Sequence, residues 1–232
     1  MTFSLAARCA ATGAFGVCAA TADLAVGGRV AHVEAGVGAV LTQHRTDPRL
    51  GPRGLGLLRS GCGAAETIEA LVASTPEARW RQLAVVDRDA ATAAFNGDEI
   101  VTTSAEQHGA GCVAIGNMLA SAGVGAAMVQ AFTADGGAPL AERLVRALEA
   151  GALAGGETGA TRSAVVLVAI DPAMHLVDLR VDDDPAPVMA LRRLWDAYRP
   201  WVDDLRLRAL DPDRAEGRPG SATAALLEGQ RR

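Results

Sequence analysis

Apolar and polar positions alternate from the first residues of the chain, with Phe3, Leu5 and Ala7 on one side and Thr2, Ser4 and Arg8 on the other. That spacing predicts a strand over residues 2–8. Thr12-Gly13 reads as a turn and Phe15 to Thr21 as the returning strand, which makes a hairpin. After Gly27-Gly28, residues 29–34 and 36–43 read as another strand pair. A basic loop over 44–53 leads to a helix at about 52–60. A second helix at about 64–74 carries Ala65, Ile68, Leu71 and Val72 on one face. Residues 80–87 and 91–96 suit a further hairpin, and a strand is expected around Cys112 to Ile115. Two helices then follow, over 117–134 and 139–152. The second has Leu140, Leu144, Val145 and Leu148 as its stripe and Pro139 near its start. Ser163 to Ile170 is a strongly apolar strand with a partner over 175–181. The acidic turn Asp182-Asp183-Asp184 introduces a last helix over 187–198, where carboxylates suit a helix N-terminus. This order is neither strict β-α-β alternation nor an all-β series. It suits an α+β fold, two antiparallel sheets stacked face to face with helices outside. A domain over 1–199 is expected, with 200–232 forming a short helix and a mobile tail.

Composition narrows the chemistry. Half of the residues are hydrophobic but only 3% are aromatic, so Ala, Val and Leu must build the core. All 22 basic residues are arginine, which removes lysine from the possible bases. A net charge of −5 argues against nucleic acid or an acidic membrane surface as partner. No apolar run reaches the ~20 residues of a membrane span, and no secretory signal stands out. A soluble, cytoplasmic protein is expected. Cys9, Cys18, Cys62 and Cys112 are scattered without a C-x-x-C pair or a His cluster, which argues for reduced thiols and against zinc. The acidic turn lacks the regular oxygen ligands of a calcium loop. No metal and no cofactor are expected. Neither G-x-S-x-G nor a phosphate loop of the expected form occurs.

The start Met1-Thr2 carries the sharpest chemical possibility. Initiator Met is normally removed before a small residue such as Thr2, which would leave a free threonine at the terminus. Its hydroxyl is a nucleophile, and its α-amine, ordinarily titrating at ~7.7–8, is a base near neutral pH. A strand would hold this pair rigidly. Arg8 shares the face but lies ~20 Å along the strand, too far to tune the amine.

Several segments resemble the DUF1028 family. They are Met1-Thr2-Phe3-Ser4, Ala35 to Gln43, Asp47 to Leu55, Gly116 to Ala120, Leu148 to Gly151 through Gly155-Gly156, and Val177 to Asp183. The matches run in order to about residue 195. The family is similar to the N-terminal-nucleophile (Ntn) hydrolases. The resemblance implies a four-layer αββα sandwich and, by analogy, amide-bond hydrolysis. Thr2 Oγ would attack a carbonyl and its own amine would take the proton, giving an acyl-enzyme that water hydrolyses. With no long propeptide, an aminopeptidase would suffice to expose the nucleophile. The developing oxyanion needs fixed donors, each worth about 3–4 kcal/mol of barrier. Gln43, Asn117 and backbone N–H groups near Thr42 are the candidates. Thr21 and Asp23 follow the second strand, where a partner of the nucleophile is expected. His32 would orient the amine, and Ser163 would contact the site from the start of its strand. The chain departs from the family pattern at Cys9, Ala22, Ile115 and Arg162. The expected function is hydrolysis of a small amide, imine or N-acyl metabolite by a homo-oligomer, a dimer at first guess. The alternative is a catalytically silent fold that binds a small molecule or assembles with partners.

Overall fold

The computed structural model of the chain describes residues 1–171 and 174–215. It divides into two compact units, Met1–Arg192 and Arg193–Arg232. In the first unit, β1 (Thr2–Arg8), β2 (Phe15–Thr21), β7 (Ser104–Gly109), β8 (Cys112–Asn117), β9 (Ser163–Asp171) and β10 (Met174–Val181) form a six-stranded antiparallel sheet. Its order is β10-β9-β2-β1-β8-β7. A four-stranded antiparallel sheet in sequential order holds β3 (Ala31–Glu34), β4 (Gly38–Gln43), β5 (Gln82–Asp87) and β6 (Thr92–Asn96). Helices α1 (Leu50–Arg59) and α2 (Ala64–Ala73) cover the small sheet, and α3 (Val124–Thr133) and α4 (Leu140–Leu153) cover the large one. The expected αββα sandwich is therefore the fold. Helix α5 (Pro187–Tyr198) runs across the boundary between the units, and α6 (Val202–Leu210) lies in the second. The mobile tail expected from the sequence falls, from residue 216 on, outside the described residues.

Two apolar layers hold the sandwich. Between the sheets, Phe15, Val17, Leu41, Val86, Val113, Ile115, Val165 and Leu167 interdigitate. Between the small sheet and its helices, Val40, Leu50, Leu58, Leu71, Leu83 and Val85 do the same. With both faces covered, β1, β2 and β8 are buried along almost their whole length. Small side chains permit this closeness. A Cβ at Gly16 would stand 2.6 Å from the Leu144 side chain and 3.0 Å from the Leu167 carbonyl, so α4 lies on β2 only because that position is glycine.

Helix ends follow from local donors. The Asp87 carboxylate, at the end of β5, accepts the Ala64 N–H that opens α2 at 2.9 Å and the N–H groups of Asp89 and Ala91 at 2.9 Å each. One side chain thus serves the first turn of a helix and a hairpin turn. Asp184 accepts the Ala186 N–H at 2.7 Å just ahead of α5, while Asp183 pairs with Arg162 and not with the helix.

Two expectations need correction. The helix expected over 117–134 begins only at Val124, because Gly116 and Asn117 complete β8 and Met118 turns with φ of 52°. Strand β7 was not foreseen, since Ser104-Ala105-Glu106-Gln107-His108-Gly109 shows a polar, half-exposed edge pattern. Among the described residues no helix is long and apolar enough to cross a membrane.

Candidate functional site

Strand β1 lies inside the large sheet, between β2 and β8. Its first residue, Thr2, pairs with Asn117, the last residue of β8. On the other side Phe3 pairs with Ala20, so Thr2 stands level with Thr21 at the end of β2. The two threonine hydroxyls lie 3.3 Å apart, and both donate to the carbonyl oxygen of Met1. Thr2 is buried and Met1 is partly exposed above it.

Beside this cluster is a cavity of about 510 Å³, lined by Met1, Thr2, Asp23, Arg29, His44, Arg45, Thr46 and Met118. Three of these, His44, Arg45 and Met118, have left-handed backbone with φ of 53°, 47° and 52°. Non-glycine residues reach that region at a cost of order 1–3 kcal/mol each, which the surrounding fold must offset. Several contacts fix the loop after β4. His44 Nδ1 donates to the Trp80 carbonyl at 2.8 Å, the two rings stack, and the Arg45 guanidinium lies 5.4 Å over the Trp80 ring. Thr42 Oγ1 donates to the Asp47 carbonyl at 3.2 Å, and Asp47 binds Arg49 through both carboxylate oxygens. The Arg49 guanidinium holds the Asp47 carboxyl down at about 2. Among the described residues the backbone N–H groups of Arg45 and Thr46 have no acceptor.

A buried amide network joins the two sheets beneath this cavity. Ser4 Oγ donates to Gln43 Oε1 at 2.7 Å, and Gln43 Nε2 donates to Gln82 Oε1 at 2.7 Å. Asn117 Nδ2 reaches the same Gln82 oxygen at 3.0 Å, while Gln82 Nε2 donates to Asn96 Oδ1 at 2.6 Å and the Gly116 carbonyl at 2.8 Å. The side-chain donors of Gln43 and Asn117 are thus both directed at Gln82. The Thr42 N–H is likewise used, by the Val30 carbonyl at 3.2 Å.

The other expected residues separate into two groups. Asp23 lines the cavity and lies 3.9 Å from Arg29. Ser163 pairs with Thr21; its hydroxyl donates to the Asp23 carbonyl at 2.7 Å and receives the Val26 N–H at 3.0 Å, so it shapes the Asp23 loop from below. His32 is elsewhere. Its ring packs on Gly51, where a Cβ would come within 2.1 Å, and its Nε2 faces the Arg29 carbonyl. Burial against α1 pushes its pKa down. It does not reach the cavity.

Sequence reasoning missed two residues. Gln82 is the hub of the amide network, and its signal was a lone polar residue opening an apolar strand opposite Gln43. Glu157 is 6% exposed; its Oε2 accepts the Ala22 N–H at 3.0 Å, and its Oε1 has no partner. Burial pushes this carboxyl up to about 7, with the nearby terminal amine opposing the rise and Asp23 adding to it. Only its place after Gly155-Gly156 marked it. Among the described residues, no group of three or more His, Cys, Asp or Glu could hold a metal ion.

Residues 2–191 match the model of DUF1028, a family of unknown function. The chain belongs to this family. A crystal structure of a DUF1028 protein from Silicibacter pomeroyi is 33% identical, covers 85% of each chain and superposes with a TM-score of 0.79. Anbu (ancestral beta-subunit) from Yersinia bercovieri is 11% identical over 84% of this chain and 93% of that one, with a TM-score of 0.38, too low to support an argument. Among curated proteins nothing matches.

Proposed function

We propose that this DUF1028 protein is an Ntn-type hydrolase of a small amide, imine or N-acyl compound, with Thr2 as nucleophile once Met1 is removed. The observation that carries this reading is the position of Thr2. It opens an interior strand, its hydroxyl faces that of Thr21, and it borders a cavity that Met1 also lines. Loss of Met1 would take away the carbonyl that both hydroxyls now serve and place a free amine on Thr2. That amine would accept the Oγ1 proton as Oγ1 attacks the substrate carbonyl, and would later return it to the leaving nitrogen. For the oxyanion, the unused N–H groups of Arg45 and Thr46 are better candidates than Gln43 and Asn117, which do not line the cavity and each give an N–H to Gln82. A carboxylate-bearing substrate would find Arg29 and Arg45 at the cavity wall.

The absence of Gln43 and Asn117 from the cavity lining favours a second reading, a cavity that binds a small molecule without turning it over. Intact-mass measurement followed by an amide screen separates the two. The hydrolase reading expects Met1 to be absent, an electrophilic probe to label Thr2 alone, and Thr2→Ala to lose turnover and labelling while staying folded. Retained Met1, or equal turnover by Thr2→Ala, would overturn it.

A further inference from the structure

Strand β8 does not end its pairing at Asn117. Leu119 bridges Glu157 in antiparallel fashion, with the Thr158 N–H donating to the Met118 carbonyl and the Ala120 N–H to the Gly156 carbonyl, each at 3.0 Å. The Leu119 N–H points the other way, to Thr103 on the β7 side. Residues 156–158 therefore stand on the side of β8 that β1 occupies, in line with β1 and just beyond its first residue. Next to them, Ala22 continues β2, and the Ala22 N–H is taken by the Glu157 side chain. A strand beginning earlier than Thr2 would have offered its backbone there. The Glu157 carboxylate fills that place and leaves its second oxygen unpartnered, buried, at the head of β1.

We propose that Glu157 is the positioning residue for the terminal amine of Thr2, its unpartnered oxygen accepting an N–H of that amine and supplying its counter-charge. The inference rests on the processed terminus proposed above. In the reaction, Oγ1 bonds to the substrate carbonyl carbon, the carbonyl π pair moves to oxygen, and the Oγ1 proton passes to the amine. The ammonium so formed meets the Glu157 carboxylate; it gives the proton to the leaving nitrogen when the C–N bond breaks. With Met1 in place, the charged groups facing Glu157 are the Met1 amine and Asp23. Asp23 opposes a second negative charge, so after Met1 removal the Thr2 amine is the partner that would keep Glu157 ionised.

The test uses the full chain labelled with 13C-threonine, as wild type, Glu157→Gln and Glu157→Asp, each with its terminus established by intact mass. The 13Cα signal of Thr2 is followed against pH. In wild type the amine titrates above the ordinary ~7.7–8. Glu157→Gln lowers that titration by about one pH unit, and Glu157→Asp, which keeps the charge on a shorter stem, lies between them. An unchanged titration in folded Glu157→Gln would overturn the assignment. Should Glu157→Gln not fold, a wild-type titration in Glu157→Asp would do so. A titration that moves while no electrophile labels Thr2 upholds the Glu157 assignment and removes the hydrolase reading. Labelling with an unmoved titration does the reverse, and retained Met1 removes both.

Discussion

Gln82 on β5 receives the side-chain amide of Asn117 on β8 at 3.0 Å, and this contact, with that of Ser4 on β1 to Gln43 on β4, makes the polar interiors of the two sheets one network. The Gln82 oxygen serves two donors and its nitrogen spans Asn96 and Gly116, so nearly every hydrogen-bonding site of this amide is used.

Gln82→Ala is therefore expected to strand the Gln43 and Asn117 amides in a water-poor interior. Each buried polar group left alone costs about 1–3 kcal/mol, so for the two amides a loss of roughly 2–6 kcal/mol is predicted. Urea unfolding would read it as a lower midpoint at unchanged slope. A change under 0.5 kcal/mol would contradict the network's structural weight.

Asp87→Ala removes the acceptor of Ala64, Asp89 and Ala91 together. Loss of a helix-start acceptor alone costs ~1 kcal/mol, and two turn donors add to it. A fall of about 2–3 kcal/mol is expected, with Asp87→Asn recovering part of it through its remaining oxygen.

While Met1 is retained and the Thr2 amine is not there to pair with it, Glu157 gives stability a pH dependence whose sign is opposite to that of a paired carboxylate. Its folded-state pKa of about 7 stands above the ordinary 4.5, so between those values the folded chain binds more protons than the unfolded one. The folded state should lose stability as pH rises from about 4.5 to 7 and change no further above that. In that Met1-bearing form Glu157→Gln should abolish this slope and be more stable than wild type at pH 8. Denaturant titrations of both proteins at half-unit pH intervals would show it; parallel curves would refute it.

Thiol reactivity should sort by burial. Cys62 is part-exposed, whereas Cys18 and Cys112 are buried and free, and burial pushes both of their pKa values up, Cys112 to about 11. Native protein treated with iodoacetamide at pH 8 should label Cys62 first, with Cys18 and Cys112 reacting only on unfolding. Peptide mapping against time would show the order.

Most of the sandwich could be read from the chain because buried strands and amphipathic helices leave periodic signatures. Residues 2–8, by their alternation, and 15–21 and 163–170, as apolar runs, return as β1, β2 and β9. Strand β7 could not be read in this way, since an edge strand half in water has no apolar face to reveal it. The site was partly legible: Thr2, Thr21, Asp23 and Ser163 do gather at one end of the large sheet. His32 was also eligible, but its ring lies against Gly51 of α1, a tertiary packing that no local pattern encodes. Glu157 escaped because its position arises from a loop returning to the lane of β1 over a separation of 135 residues from Ala22.

The placement of β1, with three strands on one side of it and two on the other, has a dynamic corollary. Amide deuterium uptake is slowest where opening requires the whole sheet to part, so Phe3 and Leu5 should be among the last residues to exchange, while the N–H groups of Arg45 and Thr46, which have no acceptor, exchange early. Movement at the cavity rim would then leave the Thr2 hydroxyl in place.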